Sequence, residues 1–306
     1  MELFFQPSRK RCPLRPPPGQ LDRQSKFSAL FLRGLCAGSA LIANVLLAAP
    51  HSLPTALAEP SPSNASSRDS SFRWTQIEEG YALGRYIVGS KDSFLPSEVV
   101  LAKFSPTKFS FHAVRAVDGE TPSTTDLRSL TRQSDGVAGI NAHFFDENDR
   151  PLGLLIENGE QQQKLHRSGR VLTGIFAIKK GIPTISLRER FLSDGASMAV
   201  QAGPRLIEDG KRVAMGDDEG TSRRSGVALT KSNEVILYAT VLRFPGASFD
   251  DIQAMLLDPA LGVWQAMNLD GGGSSQLFIA KQRNVENEIF ITGGDAVPVG
   301  LIVKRR

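Results

Sequence analysis

A carboxylate followed by three glycines and two hydroxyls lies near the C-terminus of this 306-residue chain, where residues 264–275 read WQAMNLDGGGSS. Consecutive glycines lose backbone entropy on folding and give a strand nothing to pack, so they are tolerated where a ligand or another backbone must come close. The pair Asp270-Gly271 is also a good turn dipeptide, which is the structural alternative. The polar run directly after an apolar strand favours a site, and we predict that Asp270 belongs to it.

Three further segments upstream combine polar side chains with glycine or proline. They are residues 141–160 (NAHFFDENDRPLGLLIENGE), 201–210 (QAGPRLIEDG) and 222–229 (SRRSGVAL). In this order, the four segments resemble the phosphodiester glycosidase family over roughly residues 138–303, and its bacterial, exopolysaccharide-related members above all. The family's Asn-Gly-Gly-Phe-Phe, Gly-Pro, strand-opening Arg and Asn-Leu-Asp-Gly-Gly-Gly-Ser elements fall on Asn141–Phe145, Gly203-Pro204, Arg224 and Asn268–Ser274. This chain departs from the pattern at Ala142-His143, where the family has small, glycine-like residues.

The resemblance implies a hydrolase of the glycosidase type that acts on a small sugar phosphodiester or glycan. The reaction would split a sugar 1-phosphodiester into free sugar and a phosphomonoester. Breaking a C1–O bond requires stabilisation of an oxocarbenium-like transition state and activation of water, tasks usually given to carboxylates. Asp270 is the first catalytic candidate, and Asp146 and Glu157 are the next. The phosphate needs a fixed planar cation, which Arg224 supplies better than a lysine would.

The remaining predicted site residues bind substrate. Asn141 and Asn268 would orient sugar hydroxyls, and backbone N–H groups of the three glycines could reach phosphate or sugar oxygens. Because neighbouring residues on a strand face opposite ways, Phe144 and Phe145 should divide between core and site, and Phe145 is assigned to the site. Arg223 is expected at the surface. The full predicted binding set is Arg224, Asn141, His143, Phe145, Gly203, Asn268, Gly271, Gly272, Gly273, Ser274 and Ser275.

We predict no cofactor and no metal site. Calcium binding by the acidic segment 146–149 stays open as the alternative, although this segment lacks the spaced ligands and the glycine of an EF-hand loop. A nucleophile elbow and a P-loop are excluded because Gly273-Ser274-Ser275 does not match G-x-S-x-G and no lysine follows the glycines. The rival class is a non-catalytic, glycan-binding protein of the cell envelope with the same fold.

The N-terminal residues 1–58 are typical of an export signal. A basic, proline-rich start precedes an uncharged apolar run over 34–49 and the small-residue site Ala56-Leu57-Ala58. The run is shorter than the roughly 20 apolar residues of a membrane span, so cleavage after Ala58 is preferred over an uncleaved anchor. Both cysteines, Cys12 and Cys36, lie in this leader. We therefore expect a periplasmic or extracellular protein without disulfides or a stable membrane span.

The charge of the chain is concentrated in that leader. Seven of the 36 basic side chains and two of the 32 acidic ones lie in residues 1–58, which leaves 29 basic and 30 acidic side chains in the remainder. The overall charge of +4 therefore gives no reason to expect a nucleic-acid partner.

Residues 59–71 are rich in serine and proline and predict a disordered linker, so the folded domain should cover 72–306. Short β-rich runs alternate with few helices in this part. Helices are expected at 124–132, capped by Ser123 with Asp126, and at 249–257, capped by Ser248 with Asp251. Each leads into a glycine-bearing strand, at 136–141 and 262–268. The prediction is an α+β fold, a mixed β-sheet with few helices in a single phosphodiester glycosidase-like domain.

Overall fold

Short β-strands are the main regular secondary structure of the described chain, as the β-rich runs of the sequence predict. The computed structural model describes residues 72–89, 96–119, 121–216, 220–241 and 246–306. The leader and the linker predicted at 1–71 lie outside the described residues. Within the described part, no helix is long and apolar enough to cross a membrane.

The strands and helices follow one another in this order: β1 Thr75–Glu78, β2 Tyr81–Val88, β3 Ser97–Phe104, β4 Phe109–Arg115, β5 Val117–Asp118, β6 Thr121–Pro122, α1 Leu127–Gln133, β7 Ala138–Asn141, β8 Leu155–Glu157, β9 Glu160–Gln163, β10 Gly174–Lys179, β11 Ile182–Leu187, β12 Ala196–Ala202, β13 Arg205–Glu208, β14 Lys211–Arg212, β15 Ser225–Thr230, β16 Val235–Thr240, α2 Phe249–Leu256, β17 Val263–Asn268, β18 Leu277–Ile279, β19 Ile289–Ile291 and β20 Val299–Arg305. Two short 3₁₀ turns cover Arg188–Arg190 and Gly272–Ser274.

Three sheets and one small ribbon contain these strands. The largest has the order β1-β2-β3-β16-β15-β17-β13-β14, and two five-stranded sheets have the orders β11-β10-β12-β8-β9 and β19-β18-β7-β20-β4. Every pairing between described strands is antiparallel, so the predicted mixed sheet is wrong in this respect. The reason is that hairpins need only a few residues, whereas parallel neighbours need long crossovers that two short helices do not supply. The fold is sheet-rich, with two α-helices in the described part.

The main hydrophobic core lies where the three sheets face one another. Leu237 of β16, Phe176 of β10 and Leu301 of β20 are fully buried in it. The large sheet is also covered on its other face, where Leu101 and Tyr238 pack in a second cluster that includes residues of α2. Because both faces of this sheet are covered, every residue of β15 and β16 is buried. These strands form the scaffold that holds the neighbouring strand ends in place.

Helix α2 begins as predicted. The Ser248 side chain accepts from the Asp251 N–H at 3.0 Å and the Asp251 carboxylate accepts from the Ser248 N–H at 3.1 Å, which is a complete capping box. Helix α1 begins three residues later than predicted, because its N-cap is Asp126 and not Ser123. Thr125 pairs with Val297 in an isolated antiparallel bridge, which keeps the residue extended.

Candidate active site

Three strand ends meet at one edge of the large sheet and place the predicted motifs side by side. The end of β17 carries Asn268, which pairs with Gly226 at the start of β15, directly after Arg224. On the other side of β17, Arg205 at the start of β13 pairs with Met267, directly after the Gly203-Pro204 dipeptide. Antiparallel neighbours therefore bring three motifs that are far apart in sequence to one place.

A cavity of about 660 Å³ opens at this edge. This volume is in the range of sites for small organic ligands. Its lining includes Asp270, Arg224, Asn268, Gly203, Pro204, Gly271, Gly272, Phe144, Phe249, Met215, Gly216, Arg170, Val171 and Asp250. The cavity thus combines two carboxylates, two guanidinium groups and apolar walls.

The Asp270 carboxylate sits in a water-poor position of this cavity. The pKa of Asp270 is raised to about 6, chiefly by burial and to a smaller extent by the negative charge of Asp295. Hydrogen bonds from the Ser274 side chain and the Gly271 N–H act in the opposite direction but are weaker than the loss of water. Its main chain is fixed as well, because the Asp270 carbonyl accepts from Asn141 Nδ2 at 2.6 Å and from Ser225 Oγ at 2.8 Å. A carboxylate with this pKa can exchange protons near neutral pH.

The Arg224 guanidinium is buried and held in one orientation. Its Nε donates to the Ala247 carbonyl at 3.1 Å, and Nη2 donates to the Gly220 carbonyl at 3.0 Å. The ring of Phe249 lies against its flat face, with 3.7 Å between the guanidinium carbon and the ring centroid. Only 7% of Arg224 is exposed, and that part lines the cavity. The side chain is therefore a preoriented cation with little freedom to lose on binding an anion.

Asn268 lines the cavity and carries a buried amide oxygen without a hydrogen-bond partner among the described residues. Its Nδ2 donates to the Gly203 carbonyl at 3.3 Å and to the Leu269 carbonyl, while Oδ1 has no hydrogen-bond partner among the described residues although it is buried. A buried polar atom without a partner is costly, so a ligand hydroxyl that donates to it would be stabilised there. Gly203, whose carbonyl accepts from Asn268, is itself closely packed, because a Cβ at this position would meet the Val171 carbonyl oxygen.

The sequence profile of the phosphodiester glycosidase family matches residues 134–304, which is more than half of the chain. The chain belongs to the phosphodiester glycosidase family. This confirms the resemblance seen in the four sequence motifs.

Individual relatives are distant. The Escherichia coli K-12 protein YigE, described as uncharacterised, is 29% identical over 157 residues, which are 47% of this chain and 59% of YigE. Among solved structures, a zebrafish N-acetylglucosamine-1-phosphodiester alpha-N-acetylglucosaminidase catalytic domain, auto-inhibited by its pro-peptide, is similar with a TM-score of 0.56 at 16% identity, over 77% of this chain and 88% of that one. A hypothetical protein from Synechocystis has a TM-score of 0.54 at 16% identity, over 77% and 64%. The matched part spans less than two thirds of YigE and of the Synechocystis protein, and the structural likeness shows a shared fold.

The three glycines 271–273 contribute more to the close packing of their own loop than to hydrogen bonds with a ligand. The Gly271 N–H bonds the Asp270 carboxylate and the Gly272 N–H donates to the Arg223 carbonyl at 2.9 Å. A Cβ on Gly273 would overlap the Asp295 carboxylate, so this glycine faces the segment 293–295 rather than the cavity. Two of the three N–H groups that we predicted for ligand oxygens are therefore used inside the loop.

The hydroxyls that follow the glycines are buried in the same loop. The Ser274 side chain bonds Asp270, whereas Ser275 Oγ is buried with no hydrogen-bond partner among the described residues. Neither serine is among the cavity-lining residues. The structure thus places Ser274 next to the carboxylate and Ser275 beneath the loop.

The first family motif supports the site from behind. Asn141 Oδ1 accepts from the Gln276 N–H at 3.0 Å while its Nδ2 holds the Asp270 carbonyl, so both ends of this buried amide are engaged. His143 is buried as well, with Nε2 at 2.9 Å from the Leu154 carbonyl, and burial lowers its pKa to about 4. Neither side chain lines the cavity. The imidazole that replaces the small residue of the family points into the protein and does not narrow the pocket.

The two phenylalanines of this motif do not divide between core and site as expected. Phe144 lines the cavity and packs against the main core, while Phe145 forms an isolated bridge with Pro151 and is absent from both. The bridge between Phe145 and Pro151 belongs to the local turn after β7, and the sequence pattern does not show it. Phe144 is therefore the aromatic group at the site.

The other two predicted carboxylates lie outside the cavity. Asp146 is in a turn, where Oδ1 accepts from the Asn148 and Arg150 N–H groups at 2.9 Å, and the Arg150 N–H lowers its pKa first of all. Glu157 on β8 forms an ion pair with Arg115 at 2.9 Å. The structure does not bring either of them to Asp270.

Arg223 is buried, with 5% exposed, so its expected place at the surface is wrong. Its Nη2 donates to the Ser275 carbonyl at 2.7 Å and stabilises the glycine loop from below. Asp295 and Arg170 were not singled out in the sequence. The first is marked only by a Gly-Gly-Asp segment, and the second by a cluster of basic residues over 164–170.

No group of three or more His, Cys, Asp or Glu side chains in the described residues could hold a metal ion. In the acidic segment 146–149, Asp146 is occupied by backbone N–H groups, as in an Asx turn.

Proposed function

We propose that the protein hydrolyses the glycosidic C1–O bond of a sugar 1-phosphodiester and releases free sugar and a phosphomonoester. The observation that carries this proposal is that the Asp270 carboxylate and the Arg224 guanidinium line the same cavity. Membership of the phosphodiester glycosidase family supports the reaction class. A glycan related to exopolysaccharides is the proposed substrate source.

In the proposed reaction, ionised Asp270 acts as the general base. It removes a proton from a water molecule whose oxygen attacks C1, the C1–O bond breaks, and its electron pair stays on the phosphate oxygen. A phosphomonoester is a good leaving group, so no strong general acid is needed. Since the pKa of Asp270 is about 6, kcat/KM should rise as pH increases through about 6 and then level off.

The other cavity residues bind the two halves of the substrate. Arg224 would bind the phosphate through the part of its guanidinium that lines the cavity, in the orientation that the Ala247 and Gly220 carbonyls fix. Asn268 Oδ1 would accept from a sugar hydroxyl. Phe144 and Phe249 provide apolar walls against which a sugar ring can pack. These roles place the scissile bond between Asp270 and Arg224.

Hydrolysis in H₂¹⁸O tests both the reaction and the bond that breaks. Residues 59–306 would be incubated with a panel of sugar 1-phosphodiesters, and the products would be separated and analysed by mass spectrometry. We expect ¹⁸O in the sugar and none in the phosphomonoester. Label in the phosphate would show P–O cleavage and contradict the proposal. Binding without turnover across the panel would favour the alternative of a non-catalytic glycan-binding protein.

We propose further that the mature protein acts outside the cytoplasm as a secreted or periplasmic enzyme on glycans, without a nucleic-acid partner. The support is the leader pattern of residues 1–58 with its Ala56-Leu57-Ala58 site. N-terminal sequencing of the native protein should give Glu59 as the first residue. A chain that starts at Met1 in the membrane fraction would show that the leader is an uncleaved membrane anchor. A full-length chain in the cytosol would contradict export.

A further inference from the structure

A basic loop borders the cavity next to the proposed phosphate site. Residues 164–170 read KLHRSGR, and Lys164, Arg167 and Arg170 are all exposed. The sequence contains no Asp or Glu between Glu160 and Glu189, so the loop has no acidic residue near it along the chain. Its positive charge is not used by the proposed chemistry at Asp270.

Arg170 is the member of this loop that lines the cavity. Its side chain forms no hydrogen bond or ion pair with the residues that the structure describes, unlike Arg224, which is buried and bonded to carbonyls. Of the two carboxylates in the lining, Asp250 is already paired with Arg212 at 3.1 Å, and Asp270 is the proposed base. The exposed Arg170 guanidinium at the rim is therefore available to form an ion pair with an anionic group of a ligand.

The backbone of the loop is held firmly although its side chains are exposed. The fully buried Gln201 accepts from the His166 N–H at 2.9 Å and donates to the His166 and Leu172 carbonyls at 2.7 and 2.9 Å. Arg188 Nη1 donates to the Ser168 carbonyl at 2.6 Å. These bonds fix both ends of the turn that carries Arg170, so the cation is presented at a defined place beside the cavity.

We propose that the substrate carries a second anionic group on its aglycone, the part that leaves with the phosphate, and that Arg170 binds this group at the rim of the cavity. This inference rests on the proposed function. Arg224 and Arg170 lie at different depths in the wall of the cavity. Arg224 is only 7% exposed, whereas Arg170 is exposed. A cavity of about 660 Å³ also leaves space beyond one sugar and its phosphate. The substrate class is then an anionic glycan or a phosphate-bearing sugar phosphodiester.

The test compares substrates that share the sugar and the phosphodiester but differ in the aglycone, which is methyl, a glycerol phosphate or a uronic acid. We expect wild-type kcat/KM to be several-fold higher for the charged aglycones at low ionic strength, and the preference to fade at about 0.5 M NaCl, as for a solvent-exposed charge. Arg170→Gln should lower the ratio of charged to neutral substrate towards one. A preference for glycerol phosphate over uronate identifies phosphate as the second group, and the reverse identifies a carboxylate.

Lys180→Gln is the matched control. Lys180 is an exposed cation in the turn after β10, about 20 Å along this strand from Gly174. It is not among the residues that line the cavity. This substitution removes one positive charge and should leave the substrate ratio unchanged. An equal fall of the ratio in both variants would assign the effect to net charge and contradict a subsite at Arg170.

Binding separates this inference from the proposed reaction. The Asp270→Asn variant, which should bind without turnover, would be titrated calorimetrically with the same substrates. Hydrolysis of the methyl phosphodiester with no charge preference in rate or binding would leave the proposed function intact and overturn the second-anion site. A charge preference in binding that Arg170→Gln removes, without hydrolysis of any substrate, would support the rim site and overturn the proposed reaction. Absence of both hydrolysis and binding would contradict both.

Discussion

The two helix–strand corners of the protein end in carboxylates whose surroundings are opposite. After α1 and β7, the chain reaches Asp146, which lies in an exposed turn with a lowered pKa. After α2 and β17, it reaches Asp270, which burial holds at a pKa of about 6. The sequence patterns of the two corners are alike, but only the Asp270 carboxylate is largely removed from solvent by burial. Burial in the cavity, and not its position after a strand, makes a carboxylate of this protein suitable for acid–base chemistry.

The asparagines of the two corners differ in the same way. Asn141 uses both ends of its amide inside the protein, and one of them holds the Asp270 carbonyl. Asn268 leaves Oδ1 without a partner among the described residues, at the cavity. The asparagine of the first corner therefore supports the second corner, whose Asn268 and Asp270 line the cavity.

The largest expected effect tests the difference between the Asp270 and Asp146 carboxylates. Asp270→Asn should lower kcat on an active phosphodiester at least 10²-fold, because that is the typical contribution of a general acid or base. Asp146→Asn is the control and should change kcat less than about twofold, as surface substitutions usually do. Steady-state kinetics of both variants decide this. Wild-type kcat in the Asp270 variant would remove Asp270 from catalysis.

A second substitution addresses the cation that faces Asp270. Arg224→Lys should reduce kcat/KM for phosphodiesters roughly 10-fold or more, because lysine lacks the planar fork that binds phosphate oxygens in pairs. A neutral aryl glycoside of the same sugar should be affected much less. Since Arg224 also bonds Ala247 and Gly220, thermal unfolding of the variant must be measured alongside. Equal losses on both substrates would take Arg224 out of the phosphate site.

The difference between the two carboxylates should also appear in stability. The pKa of Asp270 is raised from 3.8 to about 6 in the fold, so the native state binds the proton more tightly than the unfolded state. Its stabilising effect is present below pH 3.8 and is lost as pH rises through about 6. Asp270→Asn removes the cost of the buried charge and should increase the free energy of unfolding by roughly 2 kcal/mol at neutral pH.

Denaturant unfolding at pH 7.5 and at about pH 4 measures this effect. The gain should shrink at the lower pH, where the wild-type carboxyl is protonated in the fold. The pKa of Asp146 is lowered and not raised, so no such gain is expected from Asp146→Asn. An Asp270 variant that is less stable than wild type at pH 7.5 would contradict the raised pKa.

Local sequence signals predicted the parts of the molecule that local interactions determine. The capping box of Ser248 and Asp251 specifies the start of α2 within the sequence itself. The ordered motifs around Gly203, Arg224 and Asp270 were predicted at one site, and the structure brings these residues to one cavity. The glycine run next to Asp270 was informative because loop backbone and Asp295 do pack closely there.

The incorrect or missing predictions concern residues whose surroundings are set by distant parts of the chain. Glu157 pairs with Arg115 across 42 positions, and Arg223 is buried because it reaches the Ser275 carbonyl. Likewise, Arg170 reaches the cavity because Gln201 anchors its loop. No periodicity or spacing rule contains such pairings, since they depend on the order of strands in the sheets.

The smallest expected effect concerns Asp295, the second carboxylate near the site. Its charge raises the pKa of Asp270, but burial is the larger cause, and Asp295 itself is exposed. Arg224, Arg170 and Asp250 are the other charged side chains of the cavity lining, and they stay unchanged in this test. Asp295→Asn should therefore lower the midpoint of the pH profile of kcat/KM below the wild-type value, by less than about one pH unit, and more at low than at high salt. Asp146→Asn, which removes an exposed carboxylate outside the cavity, should leave the midpoint in place. A midpoint that does not move at low salt would mean that the charge of Asp295 does not contribute to the raised pKa of Asp270. A midpoint that rises would contradict the direction of its effect.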